Sequence, residues 1–168
     1  MIDKETLPYR PCVGVMLLDR TGRVFIGKRN AIHEAQAGHD WQMPQGGIDP
    51  GEDPLVAAAR ELYEETSIRT VTPIAEAPNW FCYDFPPDIL ERTRKGKYRG
   101  QAQKWYAFRF DGDEAEINVL TPPGGHEPEF TEWRWERAEV LPDLIIPFKR
   151  EVYREVIAAF AHLTQVGD

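Results

Sequence analysis

Three glutamates carry most of the chemistry this chain could perform. Glu61, Glu64 and Glu65 fall in the stretch AAARELYEET (57–66), whose composition is that of a helix. Residues three and four apart share a helix face, so the three carboxylates crowd together. Like charges repel, and the C-terminal end of a helix disfavours anions. Helix stability therefore does not account for the pattern. A divalent cation does, since three hard oxygen donors at this spacing suit Mg²⁺ or Mn²⁺. A solvated acidic face is the ordinary explanation of such a run. It leaves unexplained why Gly46, Glu52 and Arg60 precede the glutamates in the order Gly46-x5-Glu52-x7-Arg60. Arg60 is expected to pair with a glutamate, Glu52 first among them, and so to brace the preceding loop against the helix. The plain alternative is a surface ion pair worth about 0–1 kcal/mol.

The elements that must position these groups can be read from periodicity and turn signals. Gln45 to Glu52 is rich in turn formers, and Asp53-Pro54 supplies an N-cap followed by proline in the first turn. A helix is predicted from Leu55 to Thr66. Strands are predicted over Val13–Leu18, Val24–Gly27, Val71–Ala77, Trp80–Phe85 and Trp105–Phe110, with a short one at Trp133–Trp135. Residues 30–40 read as a loop. In 147–163, Phe148, Val152, Val156 and Phe160 recur every four residues, which predicts an amphipathic C-terminal helix. Strands, a helix, more strands and a helix make a mixed α/β domain. Residues 1–8 read as a loose lead-in and 9–165 as one domain.

Gly46 to Ile68 resembles the Nudix box, G-x5-E-x7-R-E-U-x-E-E-x-G-U with U aliphatic, the signature of hydrolases of nucleoside diphosphates linked to another group. One position departs: Ser67 stands where the box has glycine. That glycine ends the helix, so serine there implies strain or another cap but removes no ligand. The resemblance implies an α/β/α sandwich around a mixed sheet. It implies metal ligation by Glu61, Glu64, Glu65 and the carbonyl of Gly46, with Glu129 as a further glutamate from a later loop. Cations held there would neutralise phosphate oxygens and activate water. Glu61, Glu65 and Glu129 are all candidates for the general base.

Beyond the box, the chain from about Tyr9 to Leu163 is similar to the bacterial RNA pyrophosphohydrolase branch, close to plant-type dinucleoside polyphosphate hydrolases. The motifs are Tyr9-Arg10-Pro11-x-Val13-Gly14, Trp41-Gln42-Met43-Pro44-Gln45-Gly46-Gly47, Gln103-Lys104-Trp105, Pro128-Glu129-Phe130, Trp133-Arg134-Trp135 and Phe148-Lys149-Arg150. The implied substrate is a 5′-triphosphorylated RNA end, cut to a 5′-monophosphate and pyrophosphate. The alternative is diadenosine tetraphosphate, cut to ATP and AMP. A non-catalytic nucleotide- or RNA-binding module is a weaker alternative, because such modules lack box glutamates. By the same resemblance Arg10, Arg29 and Lys149 are candidate phosphate contacts. Tyr83 is a candidate base-stacking ring or a strand-packing one, and Gln103 a candidate hydrogen-bonding group or an exposed strand residue. The loop 30–40 is longer than in that branch and bears on RNA against dinucleotide. Its His33 and His39 are expected to be solvated.

Charge and composition agree with a polyphosphate ligand and exclude other classes. Twenty Lys and Arg against 28 Asp and Glu give a net charge of −8. Non-specific coating of long nucleic acid needs the opposite balance, so DNA is not an expected partner. Between Arg92 and Lys104, however, six basic residues occur with no acid. That run is either a phosphate-binding stripe or a solvated loop. No apolar run is long enough to span a membrane. The N-terminus lacks the apolar core of a signal peptide, and two cysteines build no disulfide framework. The cytoplasm is the expected location. The sequence names no protein partner.

Overall fold

A computed structural model describes residues 3–30, 38–92, 97–125 and 127–165. Its strands are β1 (Tyr9–Leu18), β2 (Val24–Arg29), β3 (Trp41–Gln42), β4 (Gln45–Gly47), β5 (Val71–Glu76), β6 (Phe81–Asp84), β7 (Gly100–Phe110) and β8 (Phe130–Glu136). Its α-helices are α1 (Pro54–Thr66), α2 (Pro87–Arg92), α3 (Leu141–Leu144) and α4 (Arg150–Ala159). All eight strands form one mixed sheet with the central order β3-β2-β1-β7-β5. β4 adds to β1, β6 to β7 and β8 to β2. The β1–β7 pairing is parallel, Tyr9 facing Gly100 through Leu18 facing Arg109. The other pairings are antiparallel.

Both faces of β1 are covered, which is why its residues from Cys12 to Leu18 are all buried. Val13, Val15 and Leu17 point to one side, where Ala57, Ala58 and Leu62 of α1 meet Phe25, Phe108 and Phe130. Met16 and Leu18 point to the other, where α4 contributes Val152, Tyr153 and Val156 against Trp105. The result is an α/β/α sandwich, with α1 on one face and the C-terminal helix on the other.

α1 forms where its caps predict. The Asp53 side chain accepts from Leu55 N at 2.8 Å, and Pro54 occupies the first turn. Ser67 ends the helix in the left-handed conformation, φ 68°, with its N–H donating to Tyr63 O at 2.8 Å. The strain expected of serine there is compensated in part by its hydroxyl, which donates to Asn118 O at 2.9 Å.

Several boundaries differ from expectation, each for a tertiary reason. β7 begins at Gly100 rather than Trp105, because β1 offers it ten residues in parallel register. Its polar start, Gln101-Ala102-Gln103-Lys104, hides the strand from a hydrophobic pattern. The C-terminal stretch is not one helix. Pro147–Lys149 and Ala161–Leu163 are 3-10 turns flanking α4. The lead-in holds a 3-10 turn at Lys4–Thr6, capped by Asp3 and tied down by Lys4–Asp84 and Glu5–Arg99 ion pairs. Among the described residues no helix is long and apolar enough to cross a membrane.

Candidate active site

The site is built where the short edge strand β4 meets the last two turns of α1. Arg60 organises it. Its Nε and Nη2 grip Glu52 at 2.8 and 2.9 Å, the two-pronged match of guanidinium and carboxylate. Nη2 also donates to Gly47 O at 2.9 Å, and Nη1 reaches Glu61 at 3.0 Å and Glu64 at 3.1 Å. Glu52 in turn accepts from Asp49 N at 3.0 Å, closing the loop. One side chain thus clamps β4, the following turn and the helix face. Glu52 is held down at a pKa of about 2, mainly by Arg60.

The carboxylates facing β4 are in a different state. The Glu61 carboxylate packs directly on Gly46, where any Cβ would collide with it. Burial outweighs Arg60 and lifts Glu61 to a pKa of about 7. Glu65 is buried, and its Oε2 has no hydrogen-bond partner. Its pKa is pushed well above the usual carboxylate range by burial first, then by the charges of Glu129 and Glu61, with the Gln45 backbone N–H opposing. Glu129 is brought there by Asn30, which donates from N to Glu129 O at 2.9 Å and from Nδ2 to Pro128 O at 3.0 Å. Glu64 is the most open of the three helix glutamates, its side chain 43% exposed.

Among the described residues no three carboxylate, imidazole or thiolate groups converge on a single point. Arg60 draws one oxygen each of Glu61 and Glu64 to itself. The donor set nevertheless fits a divalent cation. A buried carboxylate oxygen without a donor is costly, and Glu65 holds one beside two more carboxylates. A cation there would satisfy that oxygen and lower both raised pKa values.

The expected ligand-binding residues divide. The Arg10 guanidinium lies over Gly47, on the opposite face of β4 from Glu61. Lys149 is buried, near the rings of Tyr83 and Phe148, and burial lowers its pKa to about 8, with Arg29 adding to the effect and Glu129 opposing it. Lys149 thus lies within electrostatic reach of Arg29, Glu129 and Glu65, whereas Arg10 stands across β4 from Glu61. Tyr83 does not offer a free ring face. It is buried between Phe85 and Phe148, at centroid distances of 5.8 and 5.6 Å, so strand packing is the reading it obeys. Gln103 is neither exposed nor available, since it is buried and bonded to Gln45, Gln101 and Trp105.

The basic run also divides. Arg99 is committed to Asp84 and Lys104 to Ala77 O and Glu76, whereas Lys97 lies over the Tyr98 ring. Arg94 and Lys95 fall outside the described residues, as do His33 and most of the loop 30–40. His39 is not merely solvated: a ring nitrogen sits 3.1 Å from Asp143 O. Sequence reasoning passed over Gln45, Gln101 and Trp105 as a unit and Asn30 as the anchor of Glu129. The alternation Gln101-x-Gln103-x-Trp105 was the available signal, because residues two apart on a strand share a face.

Comparison with known proteins agrees with this architecture. The NUDIX domain model matches residues 8–156. An RNA pyrophosphohydrolase of Rhizobium meliloti is 59% identical over 164 residues, covering 96% of this chain and 98% of its own. One of Mesorhizobium japonicum is 58% identical over 167 residues, covering 98% and 96%. Among solved structures, the E. coli dihydroneopterin triphosphate pyrophosphohydrolase superposes with a TM-score of 0.65 at 18% identity, covering 90% of this chain and 98% of that one. A C. elegans Ap4A hydrolase does so with 0.60 at 19%, covering 91% and 98%. With the clamp, the glutamate face and a domain match over nearly the whole chain in agreement, this protein belongs to the Nudix family.

Proposed function

We propose that this Nudix hydrolase removes pyrophosphate from the 5′-triphosphate end of RNA, leaving a 5′-monophosphate. The observation that carries the reading is the near-full-length identity of 55–59% to proteins named RNA pyrophosphohydrolase. The family works with divalent cations, and Mg²⁺ is the one proposed here, with Mn²⁺ as a substitute. The ligands would be Glu61, Glu64, Glu65, Glu129 and the Gly46 carbonyl. Such a cation supplies charge neutralisation of the phosphate oxygens and a more acidic water.

The chain's own residues do the rest. Arg60, anchored by Glu52, holds the glutamate face of α1 in register with Gly46. Arg10, Arg29 and Lys149 attract and orient phosphate oxygens next to it, where a point charge or a guanidinium fork is effective. One of Glu61, Glu65 and Glu129 takes the proton of the attacking water. The P–O bond to the departing pyrophosphate then breaks in line with the new bond, and the departing group carries away the electron pair. The cytoplasm, where such RNA ends arise, is the proposed location, and 9–165 the proposed extent of the domain.

The dinucleoside polyphosphate alternative draws on a fold likeness at 19% identity, which speaks for fold alone. The test is direct. Purified protein is incubated with a 5′-triphosphorylated RNA and with diadenosine tetraphosphate under matched Mg²⁺. Faster release of pyrophosphate from the RNA is expected. Fast cleavage of the dinucleotide beside slow RNA turnover reverses the order.

A further inference from the structure

Behind the edge strand that carries Gly46 lies a buried chain of amides ending on an indole. Trp105 Nε1 donates to Gln103 Oε1 at 2.9 Å. Gln103 Nε2 donates to Gln45 Oε1 and to Gln101 Oε1, both at 2.8 Å. An indole N–H can only donate. It therefore dictates which end of the Gln103 amide faces it, and both Gln103 hydrogens are left for the other two glutamines. Gln45 must then present its oxygen inward. Its Nε2, with two N–H groups, is turned away from the network and has no hydrogen-bond partner among the described residues.

Two glycines show how tightly this arrangement is set. Gly14 pairs with Gln45 on one side and Trp105 on the other, and a Cβ at Gly14 would collide with the indole ring. Gln45 and Gly47 share one face of β4, and Arg10's guanidinium lies over Gly47 on that face. The outward N–H groups of Gln45 thus stand on the face of β4 that carries Arg10, one residue from Gly46.

We infer that Trp105 and Gln103 are positioning residues that set the hydrogen-bond polarity of the pocket, so that Gln45 meets the substrate as a donor to a polyphosphate oxygen. The inference rests on the reading of the substrate as a polyphosphate. It explains why a glutamine that could present either end is wired to a group that cannot accept. It also moves the expected ligand contact from Gln103, whose two N–H groups are both engaged, to Gln45.

The network is read first without ligand, by side-chain amide NMR of the full chain labelled with ¹⁵N-glutamine. The Gln103 Nε2 hydrogens are expected to exchange slowly and those of Gln45 fast; protected Gln45 hydrogens overturn the assignment. Inorganic tripolyphosphate with Mg²⁺ is expected to shift the Gln45 amide and not that of Gln103. No Gln45 response at tripolyphosphate concentrations up to the millimolar range overturns its role. Trp105→Phe keeps the ring and removes the donor. It is expected to release Gln103 from protection and to raise KM for triphosphorylated RNA about tenfold, the scale of one hydrogen bond to a charged oxygen, with kcat changed far less. An unchanged KM, or a fall in kcat alone, overturns the proposal. Should Trp105→Phe not fold, Gln45→Met on the half-buried edge strand gives the same KM test. Gln45-dependent tripolyphosphate binding in a protein that turns over no triphosphorylated RNA would overturn the proposed function while upholding the network.

Discussion

Two corners of this molecule combine carboxylates with a single arginine and end in opposite electrostatic states. Where β6 meets the N-terminal turn, Asp84 receives two N–H groups from Arg99, both at 3.0 Å, and an ion pair from Lys4 at 3.2 Å. Arg99, then Tyr9 and Lys4, hold its carboxyl well below the usual range. On α1, Arg60 is shared among too many acids. Glu52 takes the fork, Glu61 and Glu64 divide one nitrogen, and Glu65 Oε2 receives no hydrogen bond. The first corner stabilises the fold. The second leaves buried negative charge short of donors, a cost that makes sense where another cation or a proton is to be handled.

The sharpest way to break that contrast is Glu65→Gln. Turnover of triphosphorylated RNA should fall at least about a thousandfold, the scale of a lost general base or ligand, while Tm measured in EDTA should not fall. A destabilised Glu65→Gln with residual activity near wild type would make Glu65 a scaffold residue like Asp84. Next in size, Arg60→Lys should lower kcat/KM about 10–100-fold, as loss of ligand-orienting groups does, because an ammonium cannot grip Glu52 with a fork and reach Glu61 as well. Chelation of divalent cations should abolish turnover and lower Tm by removing a ligand that binds only the folded state. That Tm shift should shrink in Glu65→Gln, and calorimetry with and without EDTA measures both.

The smallest effect belongs to the other corner. Asp84→Asn should lower Tm at pH 7 and leave turnover unchanged. The sign of its pH dependence follows from the depressed carboxyl. Its stabilisation is present above the unfolded carboxylate pKa near 4 and is lost as pH falls through the lower folded value. The Tm gap between wild type and Asp84→Asn should therefore close in acid, below about pH 4. A gap that persists there would mean that packing, not charge, is what Asp84 contributes.

Local order along the chain was enough to make α1, its Asp53 cap, its end at Ser67 and the glutamate face readable, since each depends on neighbours within one or two turns. Covalent spacing likewise placed Arg60 eight residues from Glu52, and the pairing followed. What lay beyond reading were features created by distant strands. The polar first half of β7 is a strand because β1 lies beside it in parallel. Tyr83 lost its open face because Phe85 and Phe148 pack on it, and Gln103 its availability because Gln45, Gln101 and Trp105 converge on its amide. The raised pKa values of Glu61 and Glu65 are likewise tertiary, because burial causes them and no spacing of residues in a sequence measures how much water a fold excludes.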